Sequence, residues 1–89
     1  MKQKDVYELA HNVKDRQSFL EFIEALKNEF RNNPESFENC AIDNFLDAIQ
    51  AWVHDKHKWQ IANNKNDYKL DNPDWMTIAS MFLAGKIYE

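Results

Sequence analysis

Ser18-Phe-Leu-Glu-Phe-Ile-Glu-Ala-Leu-Lys-Asn-Glu-Phe-Arg31 is the stretch that decides the fold. Phe19, Phe22, Ile23, Leu26 and Phe30 recur at offsets 0, 3, 4, 7 and 11. At the α-helical rotation they share about 100° of arc, one apolar face. Leu20 widens that stripe, while Glu21, Glu24, Asn28 and Arg31 point away from it. Two start signals compete. Asp15 is a good N-cap, and Ser18-x-x-Glu21 has the form of a capping box. Asn32-Asn33-Pro34 ends the segment, because the residue before a proline is pushed out of helical angles. A helix over 16–31 follows.

Outward from it, Val6, Leu9, Ala10 and Val13 mark a short helix over about 3–12. So short a helix does not hold in water alone and must dock. Downstream, Ile42, Phe45, Leu46, Ile49, Trp52 and Val53 repeat at helical spacing, with Asp43, Asn44, Asp47, Gln50 and His54 opposite, giving a helix over 40–55. The last begins with Asn72 as cap, Pro73 at the first helical position and Asp74 in the first turn. Trp75, Ile78, Ala79 and Phe82 form its stripe and Leu83 its flank, over 73–84. Gly85 fits the left-handed residue just past the end. Lys56 to Asp71 shows no sustained period, so an irregular connection is expected at 56–71, with a small hairpin through Trp59-x-Ile61 and Tyr68-x-Leu70 as the alternative. The expectation is a single all-α domain over 1–89, a compact four-helix arrangement with one long connection.

Composition agrees. The chain has one Gly and two Pro in 89 residues, which favours helices over a turn-rich β fold. Six Phe, three Trp and three Tyr supply core material that a disordered chain lacks. No apolar run approaches the roughly 18 residues of a membrane span. The single cysteine, Cys40, and the polar start after Met1 point to a reducing, cytoplasmic setting. The net charge of −4 is uneven, with −6 over residues 15–55 and +3 over 56–70. The acidic part argues against nucleic acid, whose backbone needs clustered Lys and Arg.

The chain also resembles a family of small bacterial proteins classed only as a domain of unknown function. The matching pattern is Phe19-x-x-Phe22-x-x-x-Leu26, Asn33-Pro34-Glu35-Ser36-Phe37-Glu38-Asn39, Phe45-Leu46-Asp47-Ala48, Trp52, Pro73-x-Trp75 and Ala84-Gly85-Lys86-Ile87-Tyr88-Glu89. Phe37 stands where the pattern has Trp, and Gly85 where it has Ala. The resemblance implies a helical fold and supplies no catalytic residue.

Candidate chemistry is sparse. His54 and His57 are one turn apart beside Asp55, the minimum ligand set for a catalytic zinc, yet no H-E-x-x-H pattern supplies a base. Cys40 lies near a helix start, where a thiol can be activated, but no histidine is adjacent in sequence, and a buried structural cysteine is the expectation. The carboxylates Glu35, Glu38, Asp43, Asp47 and Asp55 read as a solvated face, since catalytic pairs need burial to separate their pKa values. Gly85 is the only glycine, so a Gly-rich phosphate loop is excluded. Trp52 and Trp75 sit on core stripes. Trp59, with Tyr68 nearby, falls in the polar connection, as a loop anchor or an interface residue.

The expected core is therefore Phe19, Phe22, Ile23, Leu26, Phe30, Ile42, Phe45, Leu46, Ile49, Trp52, Val53, Trp75, Ile78, Ala79 and Phe82. The expected function is a non-catalytic protein–protein interaction module of a bacterial cytoplasm, without cofactor. Asp43, Asp47, Trp59 and Tyr68 are its candidate contacts. The acidic balance extends this to an immunity- or antitoxin-like partner of a basic protein. Two alternatives stand beside it. One is a small-ligand or metal-binding domain near His54, His57 and Cys40. The other is a self-associating structural protein, a homodimer.

Overall fold

A computed structural model describes residues 5–88. Four helices follow one another: α1 (Val6–His11), α2 (Arg16–Asn32), α3 (Ile42–Ala62) and α4 (Trp75–Ile87), with a 3-10 turn at Pro34–Ser36 between α2 and α3. Among the described residues there is no strand, so 56–71 forms no hairpin. Residues 3 and 4, the expected start of the first helix, lie outside the described residues. Asp5 caps α1 by accepting the Tyr7 amide.

Of the two start signals before α2, Asp15 is the cap. Its carboxylate accepts the Ser18 amide at 2.8 Å, and the Ser18 hydroxyl oxygen accepts the Asp15 amide at 3.1 Å, closing a capping box. The expected end of the third helix at 55 is corrected: α3 runs about two turns further, to Ala62. It stops at Asn63-Asn64, where Asn64 takes a left-handed φ of 54° and the Lys65 amide donates back to the Gln60 carbonyl at 2.8 Å. Asn here does the work usually given to glycine. The irregular connection is thus 63–74, tied down because the buried Gln60 side chain bonds both backbone groups of Tyr68.

The start of α4 is also corrected. Asn72 and Pro73 precede it, and Asp74 is the cap, accepting the Thr77 amide at 2.9 Å. Gly85 is not a terminating residue but lies inside the helix with ordinary φ. A Cβ there would sit 2.6 Å from the Phe45 ring, so the glycine answers to close approach rather than to conformation, and a larger residue would need that ring to shift.

The arrangement follows from α4, which is apolar nearly all round and so must be central. α3 packs chiefly on α4; α1 packs on both α4 and α2; α2 touches α4 more lightly. No Cα of α2 comes within 8 Å of one on α3. The core joins Val6, Ala10 and Val13 to Phe22, Leu26, Phe37, Ala79 and Leu83. The molecule is flattened, 40 × 27 × 19 Å, and its radius of gyration of 13.3 Å exceeds the about 12 Å of a sphere-like domain of this length.

The expected core list needs correction where α2 and α3 diverge. Ile42 and Leu46 are 75% and 57% exposed, and Phe30 and Trp75 are also partly in solvent. Phe22, Leu26 and Ala79 are buried, and Phe19, Ile23, Phe45, Ile49, Trp52, Val53, Ile78 and Phe82 are half-buried. For Phe30, Ile42 and Leu46 the physical reason is the missing contact between α2 and α3; Trp75 lies instead on the first turn of α4, at a surface pocket beside Val13 and Lys14.

Candidate functional site: an apolar groove between α2 and α3

Two segments separated by the whole of α3 meet at the end of α4. The Asn39 side chain donates to the carbonyls of Gly85 at 3.1 Å and Tyr88 at 2.9 Å. The amides of Glu38 and Asn39 donate to the Lys86 carbonyl. These bonds satisfy carbonyls that a helix end leaves without partners. Below them Lys86, only 4% exposed, reaches Glu29 at 2.8 Å and lies over the rings of Tyr7 and Phe37 at 5.1 and 5.3 Å. Phe37 in turn meets Phe30 edge-on at 5.1 Å. Two parts of the sequence pattern, Asn33–Asn39 and Ala84–Tyr88, therefore share one clamp. Its role is structural: it fixes where the chain turns from α2 into α3.

That turn sets up the groove. Phe82 of α4 forms its floor, with Phe19 of α2 at 5.8 Å and Phe45 of α3 at 6.4 Å on either side. The walls are Ile23, Leu26, Lys27 and Phe30 from α2, and Ile42 and Phe45 from α3. Phe37, Asn39, Cys40 and Ala41 close one end, and the enclosed space is about 320 Å³. Its lining is dominantly apolar and open to water. Along α3 the apolar positions continue as Ile42, Leu46, Ile49 and Val53, about 17 Å of helix.

The residues singled out from the sequence are not brought together. His54 faces Asp55 at 3.4 Å and His57 faces Asp71 at 3.6 Å, both pairs exposed. Asp55 instead accepts the Tyr88 hydroxyl at 2.5 Å. That bond holds the Asp55 carboxyl below its ordinary range and pushes the Tyr88 phenol up. Among the described residues no three His, Cys, Asp or Glu side chains converge as a metal site. Cys40 is exposed, not buried, and its thiol makes weak bonds to the carbonyls of Phe37 and Pro34, with no histidine partner. Trp59 is corrected from a loop to the last turns of α3, 45% exposed, with the Lys56 ammonium 4.7 Å from its ring. Tyr68 lies in the connection, edge-on to Trp52 at 5.2 Å. Asp43 and Asp47 are exposed on α3.

The groove was missed because a stripe shows which side of a helix is apolar, not whether another helix covers it. The charged lysine at position 27, between Ile23 and Phe30, was the available signal.

Among the described residues no helix is long and apolar enough to cross a membrane. The model of a family of unknown function, DUF7660, matches residues 15–89, so the chain belongs to that family. No curated protein matches the chain. No solved structure matches it either.

Proposed function

We propose that this member of a family without an assigned activity is a non-catalytic protein-interaction module, working in a bacterial cytoplasm through the α2–α3 groove. The observation that carries the reading is a water-open apolar groove floored by Phe82, with Ile42, 75% exposed, on its wall and Leu46, 57% exposed, one turn further along α3. Burying a side chain of that size stabilises by about 1.5–3 kcal/mol, and this face leaves that energy unused. Interfaces draw on such apolar centres, with charges at the rim. The exposed Asp43 and Asp47 on the polar side of α3 suit a partner with basic groups, which keeps the immunity- or antitoxin-like version of the reading in view.

Site-specific photo-crosslinking in the native cell tests it. A photoreactive residue at Ile42 or Leu46 should give discrete protein adducts, and one at the exposed Glu21 should not. Equal labelling from both faces, or none from the groove, would sink the proposal.

A further inference from the structure

We propose that the chain carries a second site, apart from the groove: a crevice for a small phosphorylated ligand, between the last turns of α3 and the connection that follows it. His57 and Ile61, one helical turn apart, form one side, and Lys65, Tyr68 and Lys69 line it from the connection. The left-handed Asn64 turns the chain so that Lys65 comes back against the helix it has just left. The crevice has a volume of about 410 Å³, within the roughly 300–1,000 Å³ of small-ligand pockets. It lies in the stretch that carries +3 over residues 56–70, in a chain of net charge −4. Among the described residues neither Lys65 nor Lys69 forms an ion pair. Asp71 is the one carboxylate in the lining, and it is directed at His57, 3.6 Å away.

Two ammonium groups without counter-ions suit a dianion with several acceptor oxygens, as a phosphate monoester is, better than a lone carboxylate. Ile61, 69% exposed, and the Tyr68 ring offer an apolar wall to the remainder of the ligand. A nucleic-acid strand fits less well. Along the connection Lys65 and Lys69 alternate with Asp67 and Asp71, which interrupts the basic track that a phosphate backbone needs. The backbone of the site is already fixed. Gln60 holds both backbone groups of Tyr68, the Lys65 amide donates to the Gln60 carbonyl, and the Lys69 amide donates to the Thr77 hydroxyl at 3.1 Å. Binding therefore orders little more than the two lysine side chains.

The test is an NMR titration of the isotope-labelled full chain with inorganic phosphate, the ionic strength held constant with chloride. The amide signals of residues 57, 60–61 and 65–72 should shift together and saturate, with a dissociation constant of about 1 mM or tighter. Lys65→Gln/Lys69→Gln should weaken binding about tenfold or more while the rest of the spectrum stays in place, because each ammonium removed takes a charge-assisted bond with it. Lys27→Gln/Lys58→Gln removes the same charge outside the crevice and should change the affinity less than about twofold, since exposed charges at a distance are screened. Shifts that never saturate, shifts spread over lysines in general, or equal weakening in the two double variants overturn the site. Phosphatidylglycerol vesicles or a single-stranded oligothymidylate that bind more tightly, per phosphate, than the free anion overturn its assignment to a small ligand. The groove is tested separately, by the crosslinks from Ile42 and Leu46.

Discussion

At the scale of single residues, the Lys86–Glu29 pair shows how burial decides what a substitution costs. The ammonium is 5% exposed on its side chain and the carboxylate 26%. Removing the charge of Glu29 leaves a cation that water cannot reach. Removing the charge of Lys86 leaves an anion that water can partly solvate. Glu29→Gln should therefore cost about 2 kcal/mol, and Lys86→Met, which keeps the aliphatic volume, within about 1 kcal/mol. Urea denaturation of the two variants checks the order, and a larger loss in Lys86→Met would contradict the burial argument. Little of this was legible in the sequence, since nothing marks Lys86 as different from the solvated lysines. Gly85 was legible as special but for the wrong reason. Its position near a helix end suggests a cap, while what it accommodates is the ring of Phe45 from another helix.

At the scale of elements, the sequence is clear where a helix has a one-sided environment. α2 carries its stripe and its stop as read, and Asp15 resolves the competing starts. α3 is legible as far as residue 55 because Ala48 and its half-buried neighbours pack on α4. Beyond that the helix continues with Lys56, His57, Lys58 and Trp59, whose apolar spacing breaks, although nothing in Lys56–Ala62 opposes helical angles. Absence of a stripe is not absence of a helix. The start of α4 was misplaced by two residues, because Asn72, Pro73 and Asp74 each suit a helix start and only the bond to Thr77 chooses among them. That bond has a pH signature. The Thr77 hydroxyl and then its amide hold the Asp74 carboxyl below the ordinary value. A lowered carboxyl contributes stability that is complete above its unfolded pKa of about 4 and is lost as pH falls towards the folded value. Asp74→Ala should cost about 1 kcal/mol at neutral pH. Asp74→Asn should keep most of the neutral-pH stability and lose less than the wild type between pH 4 and about pH 2. Urea midpoints across that range check it, and curves that fall in parallel would remove Asp74 from the acid response.

For the whole molecule, the extent of the family match and the extent of the folding unit differ. The match begins at residue 15, yet α1 lies before it and its side contributes Val6, Ala10 and Val13, at 6%, 0% and 3% exposure, to the same core as Phe22 and Leu83. α1 covers the side of α2 and α4 that the open groove does not reach, so without it both sides of the α2–α4 pair would face water. Each valine contributes about 1.5–3 kcal/mol by burial, and the total stability of a domain is only about 5–15 kcal/mol. A flattened chain of this size has no second core to fall back on. Shortening the chain to begin at Lys14 should therefore lose cooperative unfolding altogether, not merely lower its midpoint. The expected product keeps much of its far-ultraviolet helical signal, loses the near-ultraviolet signal of its packed aromatics and binds a hydrophobic dye. A shortened chain that still unfolds cooperatively, with the aromatic signal intact, would show that α2, α3 and α4 fold as a unit without α1. In that case the groove would be one of two open faces, and the proposed partner could dock on either.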